Sequence, residues 1–407
     1  MYKRPLQTAA LITLCILTLN GCTTKPDAST TASSPRPMPY PYTSTFFRPS
    51  PSPDTATSAS VEAKGIYITS NIAGIPDYLN PRLQLVDDTV LNAVVIDIKA
   101  DQGYVTCKNK VPMADELGIT MNNIPDLDAL LADLRARDIY TIARFVVFKD
   151  DTIIEQRPEY AIHVTNGANG GIYRQKEWNG AYGSAWLNPY NKDVWKYTVD
   201  MALQVAELGF DEIQFDYVRF PTDATTQYAD YGDTGGLTKI EAITAFSQYA
   251  YDRLSPTGIK LSADIFGTVI DSPVDAELIG QDLAQLAQIY DVLCPMVYPS
   301  HYADGSMGIE HPDLAPYDTI RKSMEIAQDK LSALPEGTHI AILRPWLQDF
   351  TANWIESYQE YGALQLGQQI QACQDTGLTE WLIWNPRNNY SAEALAPATS
   401  TTISPTP

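Results

Sequence analysis

A chain of 407 residues with 49 acidic and 28 basic side chains carries a formal charge of −21. A surface this acidic disfavours nucleic acid, anionic lipid and acidic polymers as partners, and accommodates neutral or cationic ligands more easily. Five cysteines without a CxxC spacing, beside only four histidines, give a zinc site no support, so neither a metal nor another cofactor is expected.

The N-terminus begins Met1-Tyr2-Lys3-Arg4, continues through an apolar run from Ala9 to Leu17 and reaches Leu19-Asn20-Gly21-Cys22. A cationic start, an apolar segment too short to span a bilayer and this four-residue site resemble a bacterial lipoprotein signal over residues 1–21. Cleavage there would leave Cys22 as a lipidated N-terminus. The expected address is the cell envelope, facing the periplasm or exterior, with the lipid as the sole membrane contact. Residues 22–60 are dominated by Ser, Thr, Pro and Ala and cannot bury enough apolar surface to offset their ordering entropy, which predicts a tether. Residues 391–407 read as a similar tail. Of the remaining cysteines, Cys107, Cys294 and Cys373 allow at most one disulfide, and Cys294 sits in an apolar strand as a buried thiol.

Residues 61–390 suffice for one large domain. Short apolar runs predict eight strands: Gly65–Thr69, Ala93–Ile98, Thr141–Phe148, Glu212–Tyr217, Leu261–Phe266, Val292–Tyr298, His339–Leu343 and Trp381–Trp384. Helical periodicity lies between them, at Asp126–Arg137, Asp193–Leu208, Thr238–Leu254, Ala276–Ile289, Tyr317–Leu331 and Leu364–Asp375. The helix after the first strand is the weakest, Asp87 to Leu91. Eight such units predict a (β/α)8 TIM barrel, with an open doubly wound sheet as the alternative. Long loops run from Lys149 to Pro189, with Tyr173, Trp178, Tyr182 and Trp186, and from Thr222 to Thr238. Their aromatics suit either stacking on sugar rings or a small satellite core.

The predicted strand ends collect ionic and aromatic residues. Asp97 and Lys99 alternate onto one side of the second strand, so both are expected in the barrel mouth. Arg144 follows on the third, Asp216, Tyr217 and Arg219 on the fourth, Asp264 on the fifth, Tyr298 and His301 on the sixth, Arg344 and Trp346 on the seventh, Trp384 and Asn385 on the eighth. Carboxylates on neighbouring strands at similar height lie roughly 5–7 Å apart, bracketing the separation of about 5–5.5 Å in retaining glycosidases. Asp216 and Asp264 are therefore the candidate catalytic pair, the alternative being a structural ion-pair network with Arg144, Arg219 or Lys99. Arg144 and Arg344 read as charge-positioning groups or structural ion pairs, His301 as a hydroxyl partner or loop anchor, Trp346 and Trp384 as sugar platforms or barrel packing. Asp97-x-Lys99-x-Asp101-x-Gly103 has the outline of a calcium loop, but its lysine and missing distal acid argue against one.

Several stretches together are similar to a known family. They are Ile96-Asp97-Ile98-Lys99 with Asp101 and Gly103, Arg157-Pro158-Glu159-Tyr160-Ala161, Trp186-Leu187-Asn188-Pro189, Gly209 through Pro221, Ser262 through Gly267, Ile279-Gly280-Gln281-Asp282, Pro295 through Tyr302, Arg344 through Phe350, and Trp384-Asn385. In this order they resemble the bacterial glycoside hydrolase domain first catalogued as a domain of unknown function, over nearly all of residues 64–390. The resemblance implies a (β/α)8 barrel distantly similar to α-amylase-like hydrolases, with Asp216 as nucleophile. Those hydrolases place a Glu acid/base at the end of the fifth strand, where this chain has Asp264. The expected activity is hydrolysis of an envelope or extracellular polysaccharide without a cofactor. The rival is a barrel that binds carbohydrate, or serves as an envelope scaffold, without catalysis. A carbohydrate deacetylase is a third class, weakened by the scarcity of histidine.

Overall fold

The computed structural model describes residues 61–165, 171–176 and 182–396. The signal segment, Cys22, the tether, Trp178 and the tail from residue 397 lie outside the described residues.

Eight parallel strands close on themselves: β1 Lys64–Ile68, β2 Ala93–Lys99, β3 Tyr140–Val146, β4 Glu212–Asp216, β5 Lys260–Phe266, β6 Val292–Met296, β7 in two segments, Ile342–Leu343 and Trp346–Gln348, and β8 Trp381–Trp384. Each pairs with the next, and β8 pairs back onto β1 through Lys64↔Trp381 and Gly65↔Leu382. Closure selects the (β/α)8 barrel over the open sheet, because no edge is left to solvent.

Seven of the eight strands keep their expected positions within two residues. The exception is β7, expected at His339–Leu343. It starts at Ile342 and resumes at Trp346 after Arg344-Pro345 interrupts the ladder, since proline has no amide to donate.

The helical layer comprises α1 Pro76–Asp88, α2 Leu127–Ala136, α3 Lys192–Ala206, α4 Lys239–Leu254, α5 Pro273–Ile279, α6 Leu283–Ala287, α7 Pro316–Ser332 and α8 Ala363–Asp375. α1 lies ahead of the expected Asp87–Leu91 and overlaps it only at Asp87 and Asp88; Pro81 inside it masks the sequence signal, while Leu79, Leu83 and Val86 bury at i, i+4 and i+7. The expected helix Ala276–Ile289 is two, broken where Gly280 adopts φ +80. α4 opens with a reciprocal cap between Thr238 and Glu241.

The long loop after β3 zips onto the loop after β4 through His163–Val164 and Ala229–Asp230. Tyr173 and Trp186 are buried and join the main hydrophobic core, so these two aromatics are neither open stacking surfaces nor a separate satellite core. Cys107, Cys294 and Cys373 are buried free thiols. No helix among the described residues is long and apolar enough to cross a membrane.

Candidate active site

Period-2 alternation sends one set of strand residues into the barrel. At its floor Arg344 is fully buried, its Nη1 reaching Glu212 Oε1 at 2.9 Å and its Nε reaching Glu380 Oε2 at 2.7 Å. Above this, Gln214 Nε2 contacts Cys294 Sγ at 3.1 Å. The top layer opens into a cleft of about 960 Å³ at the C-terminal ends of the strands, where catalytic groups of this fold reside.

Arg144 is the hub of that layer. Its Nε and Nη2 reach Asp216 Oδ2 at 2.9 and 2.6 Å, Nη1 reaches Asp97 Oδ1 at 2.7 Å, and Nη2 also reaches Asp101 Oδ1 at 2.8 Å. Tyr67 donates its hydroxyl to the other Asp97 oxygen at 2.5 Å. Burial raises the Asp97 pKa despite the Arg144 charge. Asp101 is half-buried, and Arg144 and Lys149 outweigh desolvation and hold its carboxyl below the usual range. The Asp101 turn is fixed by Gly103, whose φ of +97 and contact with the Asp150 carboxylate leave no room for a Cβ.

Asp216 ends β4, and Tyr217 after it takes φ +54, an uncommon conformation for a side chain with a Cβ. This turn aims the Tyr217 amide at Asp216 Oδ1, 2.6 Å away. On β5, Ser262 and Ala263 lie opposite Gln214 and Phe215, so one further step in register sets Asp264 beside Asp216, about 5 Å away by strand spacing. Trp346 donates its indole Nε1 to Asp264 Oδ1 at 2.7 Å. Burial first, and the neighbouring Asp216 charge second, push the Asp264 pKa well above the carboxylate range. Gln281, fully buried, braces both strand ends: it donates to the Val218 and Asp264 carbonyls and accepts from the Phe266 amide.

Of the expected site residues, Asp97, Arg144, Asp216, Tyr217, Arg219, Asp264, Tyr298, His301, Trp346 and Trp384 line the one cleft. His301 is exposed on its wall, accepts or donates at Nδ1 to Ser300 Oγ at 3.0 Å, and has its pKa lowered by the surrounding protein. Trp384 stacks on Tyr67 with centroids 4.1 Å apart. Trp346 is almost wholly buried, which makes it a donor to Asp264 rather than a platform.

Lys99, Arg344 and Asn385 are placed elsewhere. A bulge between Asp97 and Lys99 inserts one residue, so Lys99 aligns with outward-facing Phe145 and pairs with Asp150 at 2.7 Å behind the strand. Arg344 belongs to the floor triad, below the Gln214–Cys294 layer and out of reach of the cleft. Asn385 donates to the carbonyls of Asp349 and Asn389 and accepts from the Arg387 amide, which commits it to bracing its own loop.

Sequence reading missed Tyr67, Lys149, Phe266 and Trp354. Lys149 directly follows an expected strand end, a usable signal; Tyr67 would have followed from inward alternation along β1. Trp354, 61% exposed and stacked at 12° on Phe350, lies in a loop with no periodicity to mark it. Among the described residues no group of three or more His, Cys, Asp or Glu gathers to hold a metal ion.

Residues 65–390 match the family model described as "Putative glycosyl hydrolase domain". The chain belongs to this family. Among solved structures it is similar to a hypothetical protein from Ruminiclostridium thermocellum ATCC 27405, at 36% identity over 49% of this chain and 96% of that one, with a TM-score of 0.43. The PgaB (BpsB) glycoside hydrolase domain from Bordetella bronchiseptica matches with a TM-score of 0.57 at 15% identity, covering 82% of this chain and 98% of that one. The Flavobacterium johnsoniae chitobiase gives 0.50 at 13% identity, over 84% of this chain and 49% of that one. At such low identity the last two show a shared barrel fold. No curated protein matches the chain.

Proposed function

We propose that the chain hydrolyses a glycosidic bond of an envelope or extracellular polysaccharide with retention of configuration, Asp216 acting as nucleophile and Asp264 as acid and then base. The observation that carries this reading is the asymmetry of the pair. Asp216 is held by Arg144 and the Tyr217 amide, while burial and Asp216 itself raise the pKa of Asp264, on the next strand, and so favour its protonated form.

In the first step the Asp264 proton passes to the glycosidic oxygen as its bond to the anomeric carbon breaks, and Asp216 Oδ1 bonds to that carbon. Among the described residues Oδ1 accepts only the Tyr217 amide, so a lone pair remains for attack. In the second step the Asp264 carboxylate takes a proton from water, whose oxygen attacks the anomeric carbon and frees Asp216. Tyr298, His301 and the rim aromatics border the space where the sugar would lie. The envelope setting rests on the signal resemblance and Cys22.

The test is product release from bacterial envelope and storage polysaccharides, read by mass spectrometry, with wild type beside Asp216→Asn. Cleavage by wild type alone supports the reading. Saccharide binding without product from either protein would favour the non-catalytic barrel.

A further inference from the structure

Four other cations buried in or beside the barrel each face a carboxylate. Arg144 has Asp97, Asp101 and Asp216; Lys149 has Asp101; Lys99 has Asp150; Arg344 has Glu212 and Glu380. Arg219 is the exception. It is 5% exposed and lines the cleft, yet among the described residues it forms no ion pair, and its only hydrogen bond runs from Nη1 to the Phe220 carbonyl at 2.9 Å.

Its guanidinium is instead caged by rings, 4.8 Å from the Trp186 centroid, 5.1 Å from Tyr217 and 4.5 Å from Phe266. These rings flank the planar group, and among the described residues its Nε and Nη2 have no acceptor. A buried charge without a direct ion-pair partner is costly: burial lowers the Arg219 pKa, and the Asp216 and Asp101 charges oppose this only from beyond ion-pair distance. The cost is offset when an anion arrives, and a planar guanidinium edge matches a carboxylate bidentately.

We propose that Arg219 recognises a carboxylate on the sugar bound in the cleft, so that the substrate is an acidic glycan containing a uronic acid or similar carboxylated residue. This rests on the glycosidase reading for the site but not on turnover. It also qualifies what the overall charge of −21 suggests: at about 0.15 M salt, charges beyond roughly 8 Å are screened, and the local cation decides.

The experiment is NMR titration of the full chain, at that salt concentration, with the methyl glycosides of glucuronic, galacturonic and mannuronic acid and their neutral parent sugars. For at least one pair the uronate should bind about tenfold to a hundredfold more tightly, as a charge-assisted pair provides. Arg219→Gln should abolish that preference, and Arg219→Lys, which keeps the charge but not the fork, should retain part of it. Thermal unfolding of both variants reports whether the aromatic cage survives. Should Arg219→Gln fail to fold, the wild-type preference and its partial retention in Arg219→Lys decide. The proposal is overturned if no uronate is preferred by wild type, or if the preference survives Arg219→Gln. A uronate preference without hydrolysis of any glycan would uphold Arg219 and sink the enzymatic reading instead.

Discussion

The indole of Trp346 donates to Asp264 Oδ1 at 2.7 Å, joining β7 to β5 across the top of the barrel. A donor at this position favours the ionised carboxylate and so opposes the two influences that raise the Asp264 pKa, burial and the Asp216 charge. The carboxyl proposed as general acid is thus held in a balance that one atom can move.

Trp346→Phe removes that donor and keeps most of the volume. The alkaline limb of the kcat/KM profile, where Asp264 loses its proton, should move to higher pH, while the acidic limb stays in place. Profiles of the two proteins on one substrate check this; a limb unmoved, or moved down, refutes the assignment.

The same raised pKa links to stability with a defined sign. The protonated form is favoured in the folded state, so its contribution is fully present below the unfolded Asp value, about 3.9, and is lost as pH rises through the folded one. Asp264→Asn cannot ionise. Its stability relative to wild type should therefore increase with pH between the unfolded and the folded value and level off above the latter, measurable by denaturant unfolding across a pH series.

Arg344 answers to stability rather than to sugar. Arg344→Met leaves Glu212 and Glu380 buried without their cation and should cost about 3–5 kcal/mol, while KM of the protein that remains folded changes little. A large KM change at unchanged stability would return Arg344 to the substrate site.

Trp354 is the most open aromatic at the cleft rim and rests flat on Phe350. If a sugar ring stacks there, Trp354→Ala should raise KM several-fold, on the order of 1 kcal/mol, with kcat and Tm unchanged. An unaltered KM would assign the exposed face to something other than this substrate.

Where the sequence was readable, period and strand spacing carried the information. Strands such as Ala93–Lys99 announce themselves by apolar runs, and Asp216 beside Asp264 follows from register in a parallel barrel. Lys99 was not readable because one inserted residue reverses facing without disturbing the apolar pattern. Arg344 and Asn385 were placed by nearness to strand ends, but their partners, Glu212, Glu380 and the Asp349 and Asn389 carbonyls, lie far off in sequence or in irregular loops. Arg144 as the hub of three aspartates is a tertiary fact that no local pattern encodes.

The measurement closest to the central claim is azide rescue of Asp216→Gly on a glycan that wild type cleaves. The account predicts that the variant is inactive in water, that azide enters the space left by the carboxylate and restores turnover, and that the glycosyl azide has the anomeric configuration opposite to the wild-type product. Unchanged hydrolysis by Asp216→Gly, or rescue obtained with Asp264→Gly to give that inverted azide while Asp216→Gly stays inert, would contradict it.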